Sequence, residues 1–156
     1  MMEKINIGRV IAGGLVAGLV MNTSEFLLNA VVMAKEIEAA MQSLNRPAAG
    51  GSEIARLVAL TFLVGAATVW LYAAMRPRFG AGVKTALRAG LTVWALVYLY
   101  SAVVGSTLQL FPSSLYLIGA VWEMVATLAA AVAGCAIYRE ASASQPHGSL
   151  EYGRNV

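Results

Sequence analysis

Charge is what this sequence has least of. Only 12% of its 156 residues are Asp, Glu, Lys or Arg, against ~25% in an ordinary soluble domain. A chain so poor in charge cannot give a globule a well-solvated surface. Cysteine is nearly absent too. The one copy, Cys135, excludes an intramolecular disulfide, and its place in an apolar run makes it a small packing residue. The single histidine, His147, stands near the C-terminus with no His or Cys cluster around it. Zinc and haem therefore lack a ligand set, and Ser-His-acid catalysis lacks its base. No metal and no cofactor is expected. No repeat of 20–50 residues appears, and the two halves carry no clear inverted similarity, which argues against the commoner transporter designs.

What is present is apolar: 59% of the chain is hydrophobic and its mean hydropathy is +0.70. Runs of this kind argue for membrane spans. The expected fold is all-α, an integral membrane bundle of four transmembrane helices running up-down-up-down. The spans are expected at about 7–34, 53–75, 83–105 and 114–138, within a domain covering 1–140. Residues 35–44 place Ile37, Met41 and Leu44 at helical spacing among Glu36 and Glu38, so a short amphipathic helix at the interface is expected there. Asn45-Arg46-Pro47 stops it, Ser52 is a suitable N-cap for the second span, and Arg76 to Gly82 reads as a tight connection. The segment 141–156, rich in Ser, Gln, Pro and Gly, reads as a flexible cytoplasmic tail. Lys4 and Arg9 before Val10–Met21 resemble a signal peptide. The cleavage site is missing and the apolar run resumes at Phe26, so the reading is an uncleaved first span.

The net charge of +3 does not point to nucleic acid, because the basic residues gather at span ends. Lys4, Arg9, Arg76, Arg78, Lys84, Arg88, Arg139 and Arg154 fall on one side. Lys35, Arg46 and Arg56 fall on the other, offset by Glu36, Glu38 and Glu53. The positive-inside rule then puts both termini in the cytoplasm.

Two acids lie inside spans, Glu25 in the first and Glu123 in the fourth. Each costs roughly 2.5 kcal/mol or more at mid-membrane, so neither is expected to face lipid. Each lies about nine residues, or ~13 Å, from the outer end of its helix. Gly14, Gly18, Asn22, Glu25 and Asn29 form one helical stripe; Gly119, Glu123, Thr127, Ala130 and Gly134 form another. Small residues let helices approach and polar ones bond across the contact. The expected site is a polar cluster of Glu25 and Glu123 with Arg56 as counter-charge, supported by Asn22, Asn29, Thr61 and Ser101. The expected helix-packing residues are Gly14, Gly18, Gly119, Thr127 and Gly134.

Gly80-Ala81-Gly82-Val83-Lys84-Thr85 has the look of a phosphate loop, but Val83 breaks the Gly-Lys-Thr run and no strand precedes it. Asn22-x-x-Glu25 resembles the polar motif of the membrane-associated eicosanoid and glutathione metabolism family. That family carries basic residues upstream, where Ala17 and Gly18 stand here. Small multidrug-resistance proteins share only a glutamate in the first helix, and are shorter. A closer resemblance is to uncharacterised small four-helix bacterial inner-membrane proteins. It rests on Gly8-Arg9-Val10-Ile11-x-Gly13-Gly14-Leu15-Val16-Ala17-Gly18, on Asn22-x-x-Glu25-Phe26 and on Ala40-Met41-x-x-Leu44, mainly the first third of the chain. It implies a bacterial inner-membrane location and brings no activity.

Three functional classes follow. The first is a structural, interaction or accessory membrane protein built on the polar cluster. Its partners would be the lipid bilayer and either a second copy or another membrane protein. The second is a carrier or binding protein for a small polar solute or proton, using Glu25 and Glu123. The third, a membrane enzyme, has no catalytic constellation behind it.

Overall fold

The computed structural model describes residues 5–47 and 49–139; the tail expected at 141–156 lies outside the described residues. Four of its helices are long and apolar enough to cross a membrane. They are α1 (Ile7–Val32), α3 (Gly51–Phe79), α4 (Val83–Thr107) and α5 (Ser113–Ile137). A short α2 (Ala34–Ser43) follows α1, and no strand occurs among the described residues. Large apolar side chains cover the outside, among them Leu19, Leu63, Leu96, Leu117 and Val125, each more than half exposed. Water would not tolerate so continuous an apolar exterior. A bilayer takes it up, and the chain is a multi-pass membrane protein by helix length and surface chemistry.

The helix ends differ from expectation in two places. α3 starts at Gly51 with Gly50 as its N-cap, so Ser52 lies inside the helix. α3 also continues through Pro77 to Phe79. Proline removes one donor and disturbs the turn before it, and near the helix end that cost is small enough for the helix to absorb. Gly80 then ends it at φ +79°, with Gly82 at φ +126°. Both angles lie in the left-handed region that favours glycine, and the connection shrinks to three residues.

The helix pairs in closest contact run antiparallel. Gly14 and Gly18 of α1 face Ala66 and Phe62 of α3. Gly13 of α1 faces Gly134 of α5, and Ser24 meets Trp122 further along the same pair. Gly90 and Gly105 of α4 face Ala131 and Tyr116 of α5.

Packing is uneven along the bundle axis. The half nearer Ile7 and Ile137, called proximal here, holds the main core: Val10, Ala17, Met21, Val69, Ala73, Ala89 and Ala130. Small side chains let the backbones come close there, and close packing is the main attraction between helices where lipid is as apolar as the side chains. The distal half is looser. Beyond Trp94, α4 packs chiefly on α5. Two π-helical segments occur at this level, Leu28–Val32 closing α1 and Ala95–Leu99 inside α4. A π-turn widens the helix and shifts the following side chains round the axis, and such turns recur at functional sites.

Candidate functional site

A cavity of about 380 Å³ lies in the distal half, walled by α1, α4 and α5. Glu25 and Glu123 both line it, with Asn29, Tyr98, Ser101 and Tyr116. Each of the two π-segments supplies part of its wall: Leu28 and Asn29 from α1, Val97 and Tyr98 from α4. The two glutamates, from α1 and α5, line one space.

Their surroundings differ. Glu25 is supplied with donors from two other helices. Tyr98 Oη donates to Glu25 Oε1 at 3.1 Å. Thr61 Oγ1 of α3 lies 3.4 Å from both carboxyl oxygens. Glu123 is only 5% exposed, yet neither carboxyl oxygen has a hydrogen-bond partner among the described residues. One turn on, Thr127 is fully buried and its Oγ1 is likewise without a partner. Buried polar atoms almost always find partners, so each exception needs a reason.

The remaining expected residues fall elsewhere. Arg56 is exposed and is not a partner of either carboxyl group. It precedes Thr61 by five residues, which is about 140° round the helix from the side that meets Glu25. The expected counter-charge is therefore corrected: hydroxyls, not a guanidinium, attend Glu25. Asn22 donates to Gly18 O at 2.8 Å and lies 3.4 Å from Val58 O, stitching α1 to α3 rather than joining the carboxyls. Asn29 Nδ2 donates to the backbone carbonyl of Glu25 at 2.8 Å. Ser101 is exposed and its hydroxyl donates to Val97 O.

Gly14, Gly18 and Gly134 sit at close helix contacts, as expected of packing residues. Gly119 does not. A Cβ there would meet nothing within 4 Å, and the residue lines the cavity. Its side of α5 borders the open space, so its smallness widens that space instead of closing a contact.

Three further residues bear on this region. Tyr98 holds Glu25 across the gap between α1 and α4. Trp94 Nε1 donates to Ala120 O at 2.8 Å, and Trp122 Nε1 donates to Ser24 Oγ at 2.8 Å, each tying α5 to a neighbour beside the cavity. A signal existed for Tyr98: a phenol deep in a span must find a hydrogen-bond partner. Tyr98→Phe is expected to cost about 1 kcal/mol, the usual net value of one hydrogen bond. The check is SDS-induced unfolding of the purified protein in mild detergent; an unchanged midpoint would mean that the Tyr98–Glu25 contact contributes nothing.

Together the fold and site define a class: a four-span helical membrane protein with an acidic cavity in one half of its bundle. No family model, curated protein or solved structure matches the chain.

Proposed function

We propose that this protein binds, and in the membrane carries, a small polar or cationic solute in the cavity lined by Glu25 and Glu123. One observation carries the reading: Glu123 is buried at the wall of the cavity and keeps both oxygens unsatisfied. A carboxyl serving only as structural glue would be expected to have found a donor, because an unmet buried group costs about 1–3 kcal/mol. Ionisable groups inside membrane bundles mark ligand or ion pathways by default. The volume, about 380 Å³, lies within the ~300–1,000 Å³ range of small-molecule sites.

A second reading has its own support. Glu25 joins α1 to α3 through Thr61 and to α4 through Tyr98, which is how a purely structural clamp in an accessory or oligomeric membrane protein would look. The two readings differ in whether the cavity opens to water.

The proposed setting is a bacterial inner membrane. Both chain ends lie on the cytoplasmic side, by the excess of Lys and Arg in the connection between α3 and α4 and near the termini. The cavity then faces the outer side.

Gly119 offers the test. In a Cys135→Ala background, Gly119→Cys adds a thiol where space is open. It is expected to react with a charged, membrane-impermeant methanethiosulfonate added from outside to intact spheroplasts. Labelling only after permeabilisation would reverse the proposed sidedness. An inert thiol in folded protein, reactive only after denaturation, would leave the structural clamp standing and the solute reading without basis.

A further inference from the structure

The solute reading leaves the chemistry of the ligand open, and the bonding pattern of the cavity narrows it. Most donors around the space are already engaged: Tyr98 Oη with Glu25, Ser101 Oγ with Val97 O, and one N–H of Asn29 with Glu25 O; the Tyr116 hydroxyl is the one left over. Acceptors are in surplus, namely both oxygens of Glu123. Among the described residues no Lys or Arg lines the cavity. A ligand that meets Glu123 brings N–H or O–H donors, and a positive charge is favoured beside two carboxyl groups.

Resting on that reading, we propose that the ligand is a compact protonated amine whose ammonium group sits on Glu123 and whose carbon skeleton lies against Leu28, Val97, Leu115 and Tyr116. An ammonium carries three donors and no acceptor, which matches a carboxyl with two unmet oxygens. The lining explains why the cation is organic. Hydrocarbon and a tyrosine ring form much of the wall, and an aromatic face attracts a cation. A hard metal ion is a poor fit. Calcium takes six to eight oxygen ligands, and among the described residues no third acid, histidine or cysteine joins the two glutamates. A proton alone would not call for this room, which would hold about a dozen waters at ~30 Å³ each. Glu25, whose oxygens already accept from Tyr98 and Thr61, shapes the field of the site and is the weaker contact.

Two sources supply this chemistry, a free amine in water and the ethanolamine headgroup of a phospholipid, and the test separates them. The full-length protein in phosphatidylcholine nanodiscs is titrated calorimetrically with benzylammonium chloride, with neutral benzyl alcohol and with sodium chloride. Saturable benzylammonium binding is expected, at least tenfold tighter than benzyl alcohol and not displaced by equimolar sodium. Glu123→Gln, which keeps shape and fold, is expected to weaken benzylammonium by tenfold or more, and Glu25→Gln to weaken it less. Nanodiscs containing phosphatidylethanolamine that lose the benzylammonium signal would assign the site to the lipid headgroup; unchanged binding would assign it to a free amine. Equal affinity for benzyl alcohol, or undiminished binding by a Glu123→Gln variant with an intact melting transition, would overturn the proposal. If benzylammonium fails to bind while Gly119→Cys still labels, the amine inference falls and the solute reading survives. If the thiol is inert as well, both fall.

Discussion

Glu123→Met is expected to make the folded protein more stable while abolishing amine binding. Methionine has nearly the length and volume of glutamate and needs no hydrogen bond, so it fills the same space on α5 without strain. The wild-type carboxyl is 5% exposed and both of its oxygens lack partners, a condition that costs about 1–3 kcal/mol in protein mutational data. Removing that burden should raise the unfolding free energy by a similar amount, read as a higher SDS midpoint or melting temperature in mild detergent. The result matters because stability and function then move in opposite directions, the signature of a residue retained for its chemistry. A fall in stability would show that Glu123 is satisfied in the folded state, and the argument for a ligand would lose its main support.

Gly65→Val is expected to cause the largest loss of stability in the bundle. A Cβ on Gly65 of α3 would stand 2.6 Å from Gly18 N and 2.7 Å from Gly14 O. Both neighbours are backbone atoms of α1 and cannot swing aside. The helices would have to separate along the face that holds the proximal core. Overpacking of a tight interior costs about 1–3 kcal/mol and occasionally more, and here loss of the folded, monodisperse species on size-exclusion chromatography is the expected outcome. Gly119→Ala is the control. Nothing lies within 4 Å of the new methyl, and alanine is the better helix former by roughly 0.5–1 kcal/mol, so that variant should fold as well as the parent or slightly better. Equal behaviour of the two variants would mean that the α1–α3 approach is not as close as described.

The sequence alone determined the class of object and the level of the site. Apolar runs of about 25 residues broken by Gly, Pro and charge lead to four long helices, because backbone polar groups in lipid must be satisfied within each segment. Helical periodicity, set by the 3.6-residue turn, placed Gly14 and Gly18 at contacts and aimed Glu25 and Glu123 inward. What it could not supply was the partner of each carboxyl. Arg56 looked suitable by charge and position along the chain, but its angle about α3 turns it away from Thr61 and the cavity.

Tertiary structure decided the rest. Regular periodicity does not anticipate the π-segments at Leu28–Val32 and Ala95–Leu99, which change which side chains face inward after them, and Tyr98 lies within the second. Nor does a stripe of small residues tell a closed contact from an opening: Gly134 touches α1, while Gly119, on the same helix face, borders a cavity. The difference lies in what stands opposite each residue, a property of how four helices pack together and of no single one. Glu123 was visible in the sequence as a buried acid; that it is the unsatisfied one emerged only when the donors Tyr98 and Thr61 were both found on Glu25.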